Sequence, residues 1–242
     1  MSVSGRLVVI AGATSASGIA AVHELKSAGA RVIAVGRDAG KLDELFRDVV
    51  ELPGADAAGS GVFGSLRREA CDLTDESAVA RLAQRVHDAD GPVDGVLHLV
   101  GGWRGGGGLA GQSEADFRFL EGSLTALRHV SRAFDADLRG SDAGRLAVVS
   151  STAVAHPLAG GANYAAVKAA TEAWARAVAQ GFAKDARDAG RELNAATVIF
   201  RVEALEGLEP ELAGRFVELW ELPASEINDT SIELATPEIG HP

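Results

Sequence analysis

A tyrosine and a lysine stand four residues apart in the run NYAAVK, and a serine precedes the tyrosine by thirteen residues. On a helix, side chains four positions apart share a face, so the Tyr164 phenol and the Lys168 ammonium are expected to be neighbours. A nearby cation lowers the pKa of a tyrosine from about 10, which eases proton exchange near neutrality. The hydroxyl of Ser151, at the end of an apolar run, could hold a carbonyl oxygen at the same point. The three residues therefore indicate proton transfer to or from a carbonyl or an alcohol.

Such a pair alone is also typical of an ordinary helix surface, and support for a site comes from the start of the chain. Residues 6–10 (RLVVI) form an apolar, β-branched run that predicts a buried strand. The turn AGATSASG follows at 11–18, and a helical stretch comes next. Small residues let a backbone approach a pyrophosphate, and a helix N-terminus offers free N–H groups and a positive dipole. This order indicates dinucleotide binding, with a plain strand-to-helix connection as the alternative.

Strands and helices alternate along the chain, which predicts an α/β fold: a doubly wound parallel sheet of about seven strands with helices on both faces. Strands are predicted at 6–11, 31–35, 66–71, 94–100, 145–150, 194–200 and 231–235. Helices are predicted at 18–28, 39–50, 75–88, 113–138, 162–188 and 209–220. Thr74 and Ser113 are predicted to be N-caps, because acidic residues follow each in the first turn. The Gly/Ala-rich segment 52–65 is predicted to be a surface insertion.

The composition fits one domain over residues 1–242. The chain has 23 basic and 34 acidic residues, a net charge of −11, and no basic cluster, so neither nucleic acid nor an anionic membrane is an expected partner. With Cys71 as the single cysteine, no intrachain disulfide can form, and a reducing compartment is natural. No apolar stretch approaches the roughly 18 residues of a membrane span. We therefore expect a cytoplasmic protein.

Taken in order, these motifs resemble those of the short-chain dehydrogenase/reductase family over roughly residues 5–200. That family carries TGxxxGxG after the first strand, an acidic residue ending the third, NNAG ending the fourth, and a serine followed by YxxxK around the fifth. The runs here are AGATSASG (11–18), CDLTD (71–75), HLVG (98–101), Ser151 and YAAVK (164–168). The serine-to-tyrosine spacing and the YxxxK run match fully, whereas Ala16 replaces the middle glycine of the first motif.

The resemblance implies a reaction and a role for each residue. A Rossmann-type domain would bind a nicotinamide cofactor, which would exchange a hydride with a small-molecule carbonyl or alcohol. Tyr164 would transfer the proton, Ser151 would position the oxygen, and Lys168 would bind the nicotinamide ribose and lower the tyrosine pKa. Ser123 aligns with a helix asparagine that supports a proton-carrying water chain in relatives. The cofactor-binding residues implied are Gly12, Thr14, Ser15, Ala16, Ser17, Gly18, Ile19, Arg37, Asp72, Leu73, Val100, Gly101, Tyr164 and Lys168.

The choice of cofactor depends on the end of the second strand. An acidic side chain there would hydrogen-bond the adenosine ribose and repel a 2′-phosphate. This chain has Gly36 at that point and Arg37 directly after it, and a guanidinium can hold a phosphate with two hydrogen bonds. The sequence therefore favours NADP(H), with NAD(H) as the alternative. Asp38 is predicted to be a turn or cap residue.

Three departures from the family pattern bear on activity. Ser123 has a shorter reach than asparagine, which puts the proton relay in doubt. The HLVG run lacks both asparagines, and His98 either titrates near neutrality or is satisfied by the backbone. After the sixth strand, FRVEAL (200–205) replaces a proline–glycine turn and a long substrate loop, and a helix follows within a few residues. The segment of about 200–242 is thus shortened, which predicts an open, shallow or partner-completed site.

The substrate pocket carries no motif that names a substrate. Seven of the eleven residues at 101–111 are glycine, and Trp103 among them is either a pocket residue or a packing one. His156 is a second pocket candidate, and no histidine has metal-ligand spacing, so no metal site is expected. Dihydropteridine reductases in this family have a similar glycine–glycine–aromatic run, which makes a pterin one alternative. The long helices at 113–138 and 162–188 imply a homodimer or homotetramer by resemblance.

Two classes of function remain. The first is an NADP-dependent dehydrogenase or reductase, which the intact serine, tyrosine and lysine favour. The second is a catalytically weak, nucleotide-binding relative that acts as a sensor or assembly subunit, which the departures favour.

Overall fold

A computed structural model describes residues 2–47 and 64–235 of the chain. Within that part, one parallel sheet runs in the order β3-β2-β1-β4-β5-β6-β7. Its strands are β1 (Leu7–Ala11), β2 (Arg31–Gly36), β3 (Leu66–Ala70), β4 (Gly95–His98), β5 (Arg145–Ser151), β6 (Ala196–Val202) and β7 (Thr230–Glu233). The predicted fold class is confirmed. The insertion predicted at 52–65 lies outside the described residues except for its last two positions.

The central strands are apolar on both faces, as expected for a sheet that is covered by helices on both sides. All five residues of β1 and all four of β4 are buried. Two large apolar clusters, one against each face, form the core. The chain turns back from β3 to place β4 beside β1, and this reversal opens a crevice at the carboxyl ends of the two strands.

The helices match the predicted pattern with shifted ends. They are α1 (Ala16–Ser27), α2 (Ala39–Leu45), α3 (Glu76–Asp90), α4 (Glu114–Ala133), α5 (Asp135–Gly140), α6 (Ala162–Asp188), α7 (Glu209–Glu218) and α8 (Ala224–Ile227). None of these described helices is both long enough and apolar enough to cross a membrane.

Two local predictions need correction. The single helix predicted at 113–138 is divided at Phe134, whose backbone leaves the helical region (φ −109°, ψ 9°) while its ring is fully buried. The N-cap of α3 is Asp75, which accepts a hydrogen bond from the Ala78 amide, because Thr74 is bonded to Asp72 instead. Ser113 caps α4 as predicted.

A buried arginine fastens the C-terminal segment to the sheet. Arg145, the first residue of β5, is 2% exposed and donates hydrogen bonds to four backbone carbonyls, each at 2.9 Å. These carbonyls belong to Gly144, Asn194, Leu219 and Leu222. Burial lowers the pKa of Arg145 to about 10, so the guanidinium remains charged at neutral pH.

We expect Arg145→Ala to lower the free energy of unfolding by about 3 kcal/mol, because several buried carbonyls lose their donor together. Urea unfolding followed by circular dichroism measures the change. Arg81→Ala removes the same side chain from an exposed position on α3 and is expected to change stability by less than about 0.5 kcal/mol. Equal effects of the two substitutions would contradict the role of Arg145.

Candidate active site

The three catalytic candidates meet at the carboxyl end of β5. Ser151 is the last residue of that strand, and Tyr164 and Lys168 lie in the first two turns of α6. The Ser151 hydroxyl is near enough to the Tyr164 phenol to lower its pKa. Lys168 Nζ lies 5.7 Å from the centroid of the Tyr164 ring. All three side chains line a cleft of about 1030 Å³, so the structure brings together the residues that the sequence selects.

Burial controls the proton affinity of the phenol and the ammonium. It raises the pKa of Tyr164, and the Ser151 hydrogen bond offsets this only in part. Burial also lowers the pKa of Lys168 to about 8, and its Nζ donates to the Val149 carbonyl at 2.8 Å. The predicted lowering of the tyrosine pKa by Lys168 is wrong for this structure, because desolvation of the phenol outweighs the other influences on it.

The glycine turn between β1 and α1 forms the floor at one end of the cleft. Gly12 has φ +94°, and a Cβ there would lie 2.9 Å from the Leu99 carbonyl carbon, so only glycine lets β1 approach β4 this closely. Ser15 Oγ accepts a hydrogen bond from the Gly18 amide and caps α1. Ser15 caps only one amide, so other amides of the first turn of α1 remain at the crevice. Backbone amides at a helix N-terminus can bind a phosphate.

The remaining residues of the turn divide between cleft and core. Ser15 and Ser17 line the cleft, and Ala16 is exposed beside them. The Thr14 methyl group lies against Gly36, at the end of β2. Ile19, by contrast, is partly buried against the apolar core and does not line the cleft.

Arg37 and Asp72 lie at the ends of neighbouring strands, beyond β2 and β3. Arg37 is exposed, and its charge helps to lower the pKa of Asp72, although the two hydrogen bonds from Thr74 act more strongly. Thr74 donates to Asp72 through Oγ1 at 2.7 Å and through its amide at 2.9 Å. Leu73 is buried in the core. Asp38 caps α2 by accepting from the Lys41 amide, as predicted.

His98 ends β4 and is followed by Val100 and Gly101, all three of which line the cleft. The His98 ring is 4% exposed, and its Nε2 donates to the Ser123 carbonyl at 3.1 Å. Burial first, and the Lys168 charge second, lower the pKa of His98 to about 3. Burial and the neighbouring charge therefore oppose protonation of His98 near neutrality, and the predicted backbone partner is present.

Ser123 lies on α4 behind His98 and not on the wall of the cleft. Its hydroxyl donates to the Leu120 carbonyl at 2.7 Å, one turn earlier on the same helix. The hydroxyl is thus committed to its own helix, and the structure does not place it beside Lys168.

The glycine loop 101–111 forms a wall of the cleft. The Gly106 amide donates to the Gly160 carbonyl at 2.7 Å, and Gln112 Nε2 donates to the same oxygen at 2.9 Å. A Cβ at Gly105 would lie 2.5 Å from that oxygen, so the loop can approach so closely only as glycine. The loop walls the cleft on a side where the short C-terminal segment does not, and the open, shallow or partner-completed site predicted from that segment stays a prediction.

The pocket candidates lie at the rim of the cleft. Trp103 is 62% exposed, and both Trp103 and His156 contribute to the lining, together with Leu158. Glu203 and Glu206, in the short connection between β6 and α7, line the cleft as well. Among the described residues, no group of three or more His, Cys, Asp or Glu side chains is placed to hold a metal ion.

A buried ion pair behind the site was not found from the sequence. Glu172, one turn after Lys168 on α6, accepts two hydrogen bonds from Arg201 of β6, at 2.8 and 2.6 Å. Ser150 Oγ also donates to Glu172, at 2.8 Å, so this serine is bonded to the ion pair and does not line the cleft. The one available signal was the spacing of Glu172, four residues from Lys168 and eight from Tyr164.

The chain matches a known protein family over most of its length. A model of the short chain dehydrogenase family matches residues 6–186. The chain belongs to this family. Its curated relatives include the 3-oxoacyl-[acyl-carrier-protein] reductases MabA of Mycobacterium bovis and Mycobacterium tuberculosis, which are 27% identical over 180 residues. That match covers 74% of this chain and 64% of theirs, so the chain spans less than two thirds of the relatives' length.

Solved structures share the fold of this short-chain dehydrogenase. A metagenomic short-chain oxidoreductase in complex with NADP superposes with a TM-score of 0.80 and 24% identity, over 98% of this chain and 100% of that one. The L-sorbose reductase of Gluconobacter frateurii, complexed with NADPH and L-sorbose, has a TM-score of 0.80 and 18% identity, over 100% and 99% of the two chains.

We expect Glu172→Gln to destabilise the protein by about 2 kcal/mol at pH 7, because the Arg201 guanidinium loses its buried counter-charge. Burial raises the pKa of Glu172, but the hydrogen bonds from Arg201 and Ser150 outweigh it and hold the pKa below its ordinary value of 4.5. The stabilisation is therefore present above the ordinary pKa and is lost as the pH falls through the folded one.

Urea unfolding of both proteins at pH 7 and near pH 3 measures this, and the difference between them should shrink at the lower pH. Glu114→Gln, which removes an exposed carboxylate paired with Arg118, is the matched control and should change stability by less than about 0.5 kcal/mol. A difference for Glu172→Gln that is the same at both pH values would show that its charge does not matter.

Proposed function

We propose that this protein is an NAD(P)-dependent oxidoreductase that transfers a hydride between a nicotinamide cofactor and a small carbonyl or alcohol substrate. The observation that carries the proposal is the meeting of Ser151, Tyr164 and Lys168 in one cleft that extends to the glycine turn. Membership of the short chain dehydrogenase family supports it, as do structural neighbours that contain NADP or NADPH.

The residues present fit a dinucleotide. Gly12 has no side chain to block the turn, and the start of α1 offers backbone amides for a pyrophosphate. From there the cleft passes Val100 and Gly101 and reaches Lys168, whose Nζ lies beside Gly101. A nicotinamide ribose held by Lys168 would put the reactive ring next to Tyr164.

The protonation states of the site suit reduction of a carbonyl. The raised pKa of Tyr164 keeps the phenol protonated at pH 7, so it can donate its proton to a substrate oxygen as that oxygen gains charge. Ser151 holds the same oxygen through its hydroxyl. Lys168, with a pKa of about 8, is mostly charged at pH 7 and stabilises the phenolate that remains. When bound, the cofactor supplies the hydride.

Within this proposal NADP(H) is the preferred cofactor. Arg37 is exposed directly beyond β2, close enough to Asp72 to influence its pKa, and no acidic residue occupies the end of β2 at Gly36. A free guanidinium at this edge can bind a 2′-phosphate, whereas Asp72 is already engaged by Thr74.

The second candidate function is a nucleotide-binding relative with weak catalysis. The commitment of the Ser123 hydroxyl to the Leu120 carbonyl favours it, because the relay that relatives use is then missing at this position. Purified protein decides between the two when it is titrated with NADPH and NADH and screened against a panel of aldehydes, ketones and alcohols. Cofactor binding without turnover across the panel would support the second candidate.

We expect Tyr164→Phe to lower kcat by at least about 100-fold, because the reaction loses its proton donor while the ring still packs in place. NADPH binding, measured by the fluorescence of NADPH, should change by less than about threefold. The reason is that the lost hydroxyl acts in the transition state rather than in holding the cofactor. Activity close to that of the wild type would remove Tyr164 from the mechanism.

We expect Arg37→Ala to weaken NADPH binding roughly tenfold or more, the value of a charge-assisted hydrogen bond to phosphate, and to change NADH binding little. Isothermal titration calorimetry with each cofactor measures both constants. Arg187→Ala removes an equal charge from the far end of α6 and should leave the ratio of the two constants unchanged. Equal weakening of both cofactors by Arg37→Ala would show that NADP is not selected there.

A further inference from the structure

The His98 ring has one nitrogen that no protein group satisfies. Its Nε2 faces the Ser123 carbonyl oxygen, which can only accept, so Nε2 carries the ring proton and Nδ1 is left with a lone pair. Among the described residues, Nδ1 is one of three fully buried side-chain polar atoms without a hydrogen-bond partner. Unlike the other two, on Thr197 and Trp220, it belongs to a residue that lines the cleft. An orphaned buried acceptor of this kind calls for a donor.

A donor with unused capacity lies in the same cleft. The Lys168 ammonium has three N–H groups, and one of them is given to the Val149 carbonyl at 2.8 Å. The charge of Lys168 acts on the His98 ring, so the two groups are electrostatic neighbours, yet no direct hydrogen bond joins them. An acceptor without a donor and an ammonium with spare donors therefore belong to residues that line the same cleft.

One water molecule would satisfy the hydrogen bonding of both His98 Nδ1 and Lys168 Nζ. It would donate to Nδ1 and accept from Nζ, and it would keep one hydrogen for the cleft, which gives it the two to four polar partners that a buried water needs. The Ser123 hydroxyl cannot donate to this water, because its one proton is bonded to the Leu120 carbonyl. The ring must be neutral for this role, since a protonated ring has no lone pair and would repel the ammonium.

We infer that His98 is a positioning residue for Lys168, acting through a water molecule held between His98 Nδ1 and Lys168 Nζ. The water fixes the direction of the ammonium. The part of this inference that concerns turnover rests on the proposed function. The hydrogen-bonding part does not, and it is tested without any substrate.

The first test is spectroscopic. In protein labelled with ¹⁵N-histidine and ¹³C-lysine, we expect His98 to remain the neutral Nε2–H tautomer at pH 5 and Lys168 to titrate near pH 8. His98→Leu should lower the pKa of Lys168, because the charged form loses an accepting water. His98→Asn should restore it, since the amide oxygen can take the same water. A ring that protonates near pH 6.5, or an unchanged lysine pKa in His98→Leu, would overturn the inference.

The second test is kinetic and uses the best carbonyl substrate from the panel. We expect His98→Leu to lower kcat by roughly ten- to a hundredfold, since a misplaced group can cost up to about 10²-fold, with little change in the KM for NADPH. His98→Asn should recover most of the loss. If His98→Asn is as slow as His98→Leu, the histidine acts only through packing and the inference fails.

His129→Leu is the matched control for both tests. His129 Nδ1 also contacts a backbone carbonyl, that of Leu73 at 3.1 Å, but the ring does not line the cleft. Its loss should move neither the lysine pKa nor kcat, and a change equal to that of His98→Leu would overturn the inference. If the wild type shows no turnover with any substrate, the proposed function fails while the spectroscopic result still decides the role of His98.

Discussion

The active-site geometry depends on a buried ion pair that fixes α6 to the sheet. Glu172 accepts two hydrogen bonds from Arg201 on β6 and a third from Ser150 on β5, so one carboxylate joins two strands to the helix. Tyr164 and Lys168 lie eight and four residues earlier on that helix, and Ser151 directly follows Ser150. A rotation of α6 would move the phenol and the ammonium away from the serine, and the ion pair opposes this rotation because it would separate the buried Glu172 carboxylate from the partly exposed Arg201 guanidinium.

Low solvent access then sets the chemistry of each group in the cleft. The same desolvation raises the pKa of Tyr164, lowers that of Lys168 to about 8 and lowers that of His98 to about 3. At pH 7 these shifts leave a protonated phenol, a mostly charged amine and a neutral imidazole. A hydrogen-bond donor, a cation and an acceptor therefore stand side by side, although none is held in that state by an ion pair with a carboxylate of the site.

The sequence predicts what depends on local pattern and misses what depends on packing. The central strands β1, β2, β4, β5 and β6 follow from apolar runs, and the Ser113 cap follows from the acidic turn after it. The break at Phe134 could not be predicted, because it arises from where the ring is buried. Nor could the cap at Asp75 be distinguished from one at Thr74, since both types cap helices and the Asp72–Thr74 bond decides between them.

The predictions for the candidate site divide in the same way, between what local pattern reveals and what packing decides. Spacing was enough to select Ser151, Tyr164 and Lys168, because helix and strand periodicity fix where they point. It was not enough to give the sign of the tyrosine pKa shift, since four-residue spacing reveals a neighbouring cation but not the desolvation of the phenol. The partners of Ser123 and His98 were equally beyond reach, because each depends on how α4 packs against the end of β4.

The unusual glycine content of 101–111 has a physical reason once the C-terminal segment is considered. Only a short connection separates β6 from α7, and Arg145 holds the residues after α7 to the start of β5, away from the cleft. The glycine loop forms a wall of the cleft. It lies so close to the Gly160 carbonyl that Gly105 has no room for a side chain. Backbone-to-backbone contact of this kind brings the loop against the cleft, where Trp103 is the large side chain that it contributes to the lining. The loop thus supplies the enclosure that the short C-terminal segment does not.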